Sequence, residues 1–142
     1  MQLDKFSDYA LRILIALAAN APNKLATSQI AKMYEISDNH LAKIATALAK
    51  AGYVVSERGR GGGLTLAKPV EAISIGAVLR NIKKDEPVVE CFSKNGSCAI
   101  LPACGLRTPL LEAQEAFFNV LDGYSLADVT QARSALKDLL GV

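Results

Sequence analysis

The sequence is poor in residues that many enzymes and secreted folds depend on. It has a single histidine, His40, and no constellation of Ser, His and Asp from which a nucleophilic site is built. Its three cysteines are an odd number at low density, which argues against a disulfide framework. None is spaced C-x2-C and no fourth Cys or His stands with them, so the usual donors of structural zinc are missing. The Gly-rich stretch that ends at Gly63 is followed by no Lys-Ser or Lys-Thr pair and lacks G-x-G-x-x-G spacing, which excludes a nucleotide loop. The apolar run from Ile13 to Ala19 is far too short to cross a bilayer. The N-terminus carries Asp4 and Asp8 and shows no basic stretch, apolar core and cleavage site in succession. The expected compartment is therefore the cytoplasm, where thiols stay reduced and clustered cysteines serve metal or redox roles. There is no internal repeat and no low-complexity segment. An enzyme is the least expected class.

What remains is an ordinary globular mix, with 51% apolar and 21% charged residues, of a length that fits one compact unit with an appended dimerisation arm. The charge is uneven. Residues 1–70 hold nine Lys or Arg against five Asp or Glu, a net +4, whereas residues 71–142 hold seven against nine, a net −2. A basic N-terminal half suits a nucleic-acid binder, because phosphate neutralisation supplies most of such a protein's affinity.

Taken in order, residues 7–20 read as a first helix, with Ser7 as N-cap, Asp8 in its first turn and apolar residues on most sides, the mark of a buried helix. Thr27 or Ser28 starts a short second helix. Glu35-Ile36-Ser37 makes a tight turn, and Ser37 caps a third helix to about Lys50. Leu41, Ile44, Ala45 and Leu48 give that helix a buried face, Asn39, Lys43, Thr46 and Lys50 lie opposite with His40 beside them, and Gly52 stops it. Two such helices resemble a helix-turn-helix whose second helix reads the major groove. The expected DNA contacts there are Ser28, Ser37, Asn39, His40 and Lys43; Asn pairs bidentately with adenine, and Lys donates to guanine or phosphate. Tyr53–Glu57 and Leu64–Leu66 are β-prone and flank Arg58-Gly-Arg-Gly-Gly-Gly63, so they predict a hairpin directly after the helix-turn-helix. That is the wing of a winged helix, with Arg58, Arg60, Gly61 and Gly62 next to phosphate.

Ser74 caps a fourth helix that faces Ile75, Val78, Leu79 and Ile82 inward, and residues 83–87 form a polar exit. Thr108-Pro109 starts a long helix to about Asp122, with Pro at the first helical position and Gly123 at the end. It has two apolar stripes, one of Leu110, Ala113, Phe117 and Leu121 and one of Leu111, Phe118 and part of Val120. It is expected to serve its own domain and a partner at once, as a dimerisation helix. Ser125 and Asp128 form a capping box for a last helix with Val129, Arg133, Leu136 and Leu140 on its inner side.

Between the fourth helix and the long one lies Cys91–Cys104, with all three cysteines at C-x6-C-x5-C spacing, broken by Gly96 and Pro102 into a loop. Three thiols on a loop can hold a soft metal centre, form one disulfide with a thiol left over, or do nothing. Thiolate suits iron–sulfur clusters, zinc or cuprous copper. A complete cluster needs four ligands, which leaves one to be found. The candidates are Glu90, Glu86, Asp85 and, farther away, Asp8.

Phe6-Ser-Asp-Tyr-Ala-Leu-Arg12, Ser37-x-Asn-His-Leu41, Ala51-Gly-Tyr-Val54, Arg58-Gly-Arg-Gly-Gly-Gly-Leu64 and Cys91-x6-Cys-x5-Cys104 occur here in one order. The combination, over essentially the whole chain, resembles the winged-helix iron–sulfur repressors that include NsrR, IscR and RirA. The resemblance implies a homodimer, a cluster on Cys91, Cys98 and Cys104, and cluster-controlled binding to a palindromic operator. IscR-like members use a His three residues after the last cysteine, where this chain has Arg107. RirA-like members usually lack the N-terminal carboxylate. NsrR-like members, which sense nitric oxide, have an Asp at the place of Asp8 and supply it to the partner's cluster. The resemblance to that branch implies the partner subunit's Asp8 as fourth ligand and favours [4Fe–4S] over [2Fe–2S].

The expected architecture is mainly α: a winged helix-turn-helix domain at 1–86, a cluster loop at 87–105 and dimerisation helices at 106–142. The expected function is a cluster-containing, nitric-oxide-sensing repressor. An iron-responsive or cluster-assembly regulator of the same fold is the alternative, and an electron-transfer or carrier protein is a more distant one.

Overall fold

The computed structural model describes residues 2–83 and 87–142. Among these, helices α1 (Lys5–Asn20), α2 (Thr27–Met33) and α3 (Asp38–Lys50) precede a hairpin of β1 (Val54–Glu57) and β2 (Gly63–Leu66). Helices α4 (Ile75–Lys83), α5 (Arg107–Asp122), α6 (Leu126–Val129) and α7 (Arg133–Leu140) follow, with short 3-10 turns at Val70–Ala72, Glu90–Phe92 and Leu101–Ala103. The expected winged helix-turn-helix is present, with its wing and its long late helix. Asp85 and Glu86, two of the fourth-ligand candidates, and Lys84 of the polar exit lie outside the described residues.

α1 is the centre of the core. Ala10, Ile13, Leu14, Ala16 and Leu17 are buried on several sides of it, against α3, β2, α4, α6 and α7. The helix begins two residues before the expected start because Asp4 takes the cap. The Asp4 carboxylate accepts from the Ser7 N–H and the Ser7 hydroxyl, both at 2.9 Å, and Ser7 is buried as a donor rather than acting as the cap. Asp4 also pairs with Lys83 at the end of α4. Partial burial alone would raise the Asp4 carboxyl, but the hydrogen bonds from Lys83 and Ser7 outweigh it and hold the pKa at about 2. A carboxyl depressed on folding stabilises the fold above its unfolded pKa and loses that contribution as pH falls through the folded one. Stability is therefore expected to drop between about pH 4 and pH 2, by on the order of 1 kcal/mol from this group after allowance for solvent screening. Asp4→Asn, which keeps a capping oxygen, should flatten that limb in acid-denaturation curves.

The third helix forms as its periodicity predicts, with Leu41, Ile44, Ala45 and Leu48 buried. α4 likewise turns Ile75, Val78 and Leu79 inward, and the Ser74 hydroxyl caps it by accepting from the Ala77 N–H at 3.2 Å. The C-terminal stretch differs from the expectation. Instead of one helix, α6 and α7 are separated by a turn at 130–132. The Ser125–Asp128 capping box is present, with the Ser125 N–H donating to Asp128 at 2.8 Å. The break turns Val129 outward, and Leu126 takes the buried place instead. Arg133, an odd residue for an inner face, donates to the carbonyls of Ala19 and Ala21 and so satisfies the end of α1, where intrahelical partners run out. Residues 125–142 thus return to α1, whereas α5 packs along α4.

α5 starts at Arg107, so Pro109 is its third residue rather than its first. Its missing N–H still falls among the first-turn donors that have no intrahelical acceptor. Phe118 is the one buried residue of the helix. Arg80 of α4 lies over the Phe118 ring and donates to Glu115, Asn119 and Asp122, which clamps α5 to α4. A Cβ at Gly76 would stand 2.4 Å from the Asp122 backbone nitrogen, so only glycine permits this approach.

Candidate nucleic-acid interface and sensor loop

The helix-turn-helix is α2, a turn and α3. The turn holds Glu35 at φ 53°, a left-handed conformation usually left to glycine or asparagine. The α3 start is fixed by Ser37, whose hydroxyl accepts from the His40 N–H at 3.2 Å. Asn39, Lys43, Thr46 and Lys50 are exposed together, and Ser28 is exposed near the start of α2. The Thr46 hydroxyl donates to the Ala42 carbonyl at 2.8 Å, which occupies it locally. His40 is only half exposed. Its ring meets Tyr9 edge-on at 5.8 Å and Phe6 at 6.3 Å, so it packs on α1 as well as flanking the exposed face.

The wing is an antiparallel hairpin in which Val54 pairs with Leu66 and Glu57 with Gly63. Leu25, before α2, adds a third rung. Its N–H donates to the Leu64 carbonyl at 3.1 Å and it accepts from the Leu64 N–H at 2.8 Å. Lys24 pairs with Glu57 at the same edge. The hairpin is thereby tied to the helix-turn-helix at its base, while Arg58 and Arg60 project from the tip, exposed and without an ion-pair partner among the described residues. Gly59 and Gly61 take φ of 91° and 74°, which form the tip. Two further glycines are required by close approach. A Cβ on Gly62 would lie 2.3 Å from the Glu57 carbonyl oxygen, and one on Gly63, at φ 155°, would lie 2.7 Å from that of Leu25. Gly63→Ala is expected to cost about 2 kcal/mol by this overpacking and to loosen the wing. Thermal unfolding measures the first effect, and amide exchange at Leu64, whose N–H bonds to Leu25, measures the second.

The cysteine loop runs from Pro87 to Leu106 without a long helix or strand. Cys91 and Cys104 are half-buried, Cys98 is exposed, and all three are free thiols. The loop folds back where a Cβ on Gly96 would stand 2.5 Å from the Glu90 carbonyl oxygen. Glu90, another fourth-ligand candidate, turns its carboxylate to the Ser97 hydroxyl at 3.4 Å. Arg107 lies with its guanidinium 5.6 Å from the centre of the Phe92 ring. As a donor set, three free thiols on a loop of short turns suit a soft metal centre. Among the described residues, no group of three or more His, Cys, Asp or Glu is gathered as metal ligands are.

Asp8 stands one turn into α1 and forms a bidentate pair with Arg12, at 3.0 and 2.9 Å. An Asp and an Arg four residues apart on a helix are natural partners, a signal the sequence carries within the Phe6–Arg12 motif. The guanidinium lies 5.3 Å from the Tyr9 ring centre and 5.8 Å from that of Tyr34, and the Tyr34 hydroxyl donates to the Arg12 carbonyl at 2.9 Å. The hydrogen bond to Asp8 raises the Arg12 pKa, and burial pushes the Tyr34 phenol up. Tyr34 closes α2. Asp8 is therefore joined, through Arg12, to the turn that orients α3.

Comparison with known proteins agrees with this architecture. The chain is 45% identical over 142 residues to the HTH-type transcriptional regulator NsrR of Geobacillus kaustophilus, covering 99% of this chain and 97% of that one. It is equally similar, with the same coverage, to the regulator of that name from Bacillus subtilis. The structure of CymR, the global cysteine regulator of B. subtilis, superposes with a TM-score of 0.70 at 26% identity, over 93% of this chain and 98% of that one. Residues 3–132 match Rrf2, described as an iron-dependent transcriptional regulator. With a winged helix-turn-helix, a match across almost its full length and relatives that are regulators rather than enzymes, the chain belongs to the Rrf2 family of transcriptional regulators.

Proposed function

We propose that this regulator is a cytoplasmic iron–sulfur repressor of the nitric-oxide-sensing kind, acting as a homodimer on a palindromic operator. It binds DNA when loaded with a cluster and releases it on exposure to nitric oxide. The observation that carries the reading is the set of three free cysteines on one loop of a chain 45% identical, end to end, to regulators named NsrR. Cys91, Cys98, Cys104 and the partner subunit's Asp8 would hold the cluster, [4Fe–4S] in preference to [2Fe–2S]. When bound, the cluster supplies iron that reacts with nitric oxide.

The remaining steps belong to the chain's own residues. Asn39 and Lys43 read base edges from α3, Ser28, Ser37 and His40 flank them, and Arg58, Arg60, Gly61 and Gly62 hold phosphate from the wing. The small apolar face of α5 that carries Ala113, Ala116 and Val120, all exposed and turned away from Phe118, is what a second copy would cover. Carboxylate is a hard ligand and the weakest match among thiolates, so the Asp8 bond would be the labile one. An Asp8 that leaves the partner subunit is free to meet Arg12 on its own helix, and Arg12 touches Tyr34 at the end of α2. Half-sites lie about one DNA turn apart, so a small change in the spacing of the two reading heads weakens binding.

The test is to purify the protein without oxygen, record its absorption and native mass, and titrate nitric oxide while following operator binding. A dimer with one cluster per chain that loses DNA as nitric oxide is added supports the reading. Because Rrf2 is described as iron-dependent, an iron-responsive regulator is the second reading. A protein indifferent to nitric oxide but released from DNA by iron depletion would favour it. Asp8→Ala is expected to destabilise the cluster and blunt the nitric-oxide response; an unchanged cluster, DNA affinity and response would remove Asp8 from the mechanism.

A further inference from the structure

We infer that the ion pair between Asp4 and Lys83 couples the two sensor loops of the dimer, so that cluster binding on one subunit strengthens cluster binding on the other. The inference rests on the proposed role of Asp8 as ligand to the partner subunit's cluster.

Two ends of the chain meet at this pair. Asp4 caps α1, and Lys83 is the last residue of α4, only four residues before Pro87 opens the cysteine loop. Four residues of chain span at most about 14 Å, so Lys83 is the stem of the loop. The pair is partly enclosed, with the Lys83 side chain 18% and the Asp4 side chain 33% exposed. It is also fixed on the α1 side, because the same carboxylate accepts from the N–H and hydroxyl of the fully buried Ser7. Asp8 lies one helical turn further along, on the same rigid helix, and its N–H donates to the Asp4 carbonyl at 3.0 Å. One turn of α1 thus grips its own chain's loop stem through Asp4 and presents Asp8 for the partner's loop. In a dimer, each α1 links one loop to the other. A loop that is drawn around its ligand fixes its stem, the stem fixes the first turn of α1, and that turn presents Asp8 to the second site already ordered. Asp4 and Lys83 are positioning residues in this scheme and do not themselves touch the cluster.

The prediction concerns half-loaded dimers. With independent sites, about half of the dimers carry one cluster at half-loading; a tenfold coupling, within the usual range, reduces that to about a quarter. Native mass spectrometry during anaerobic reconstitution, or during removal of iron by a chelator, counts the zero-, one- and two-cluster dimers directly. The unaltered protein should show the depleted one-cluster form. Asp4→Asn, which retains the cap, Lys83→Gln and the double variant should each restore it to about half, with the double no further changed than the singles. In the cluster-free protein, the three variants should keep the dimer mass and a cooperative melt, so that a change in the distribution is not a failure to fold. Statistical loading in the unaltered protein, or a depleted one-cluster form that persists in all three variants, overturns the inference. Asp8→Ala separates the two levels. If it leaves cluster stability intact, the underlying ligand assignment falls. If it weakens the cluster while Asp4→Asn leaves the distribution as it was, only the coupling falls.

Discussion

Cys98→Ser is expected to leave a folded protein that holds no cluster and has lost operator binding by on the order of 100-fold. Coupling between a ligand site and a distant function usually lies between about fivefold and 150-fold, and a repressor that depends on its cofactor belongs at the upper end. Cys98 is the informative choice among the three cysteines because it is exposed, whereas Cys91 and Cys104 are half-buried. A surface replacement that differs only by oxygen for sulfur should alter stability by about 0.5 kcal/mol or less. A loss of colour and of DNA binding is then assigned to ligation, since the harder serine oxygen does not replace thiolate. The measurement is anaerobic absorption together with operator titration, with thermal unfolding of the cluster-free chain as the control for folding. A coloured Cys98→Ser protein with native affinity would show that this cysteine is not a ligand.

The double replacement Arg58→Ala and Arg60→Ala should weaken operator binding by about 10- to 100-fold at physiological salt and make it less sensitive to salt. Each phosphate contact contributes about −0.9 to the slope of log affinity against log salt, so the loss of two should flatten the slope by about 2. The arginines are good subjects for this test because they stand on a tip fixed from below by the Leu25–Leu64 rung, and they make no ion pair that would be broken. Their removal should leave the melting temperature unchanged. A native salt slope in the double variant would mean that the wing does not touch the backbone. By contrast, replacing Asn39 on α3 should alter which base pairs are preferred more than it alters the salt slope.

Much of the fold was legible because it is written locally. Ser37, Ser74 and Ser125 each stand at the start of a helix and cap it, and the apolar spacing of Leu41, Ile44, Ala45 and Leu48 corresponds to a buried stripe. The hairpin followed from two β-prone runs around glycines. The departures from local expectation share a cause of another kind. Ser7 has the side chain of a cap, but Asp4, three residues earlier, fills that place and reaches Lys83 as well. Val129 fits an inner position only if one helical period runs on through 130–132, where the chain instead turns. Arg133 broke an apolar pattern because its acceptors are the carbonyls of Ala19 and Ala21, more than a hundred residues away. Arg80 gave no local sign that it would gather Glu115, Asn119 and Asp122.

For the candidate site, the ingredients are readable along the chain: three thiols on one loop, a polar face on α3 and two arginines on a glycine-rich turn. These depend on residue type and short-range spacing, which the chain carries in its order. How they are linked depends on the folded chain. It attaches the wing to Leu25, joins Asp8 through Arg12 to Tyr34, ties the loop stem to the first turn of α1, and leaves α5 with an apolar face outside the core. Each of these depends on residues far apart in sequence meeting after α1 is buried, and that meeting is fixed by packing around a common core rather than by any local preference of the chain.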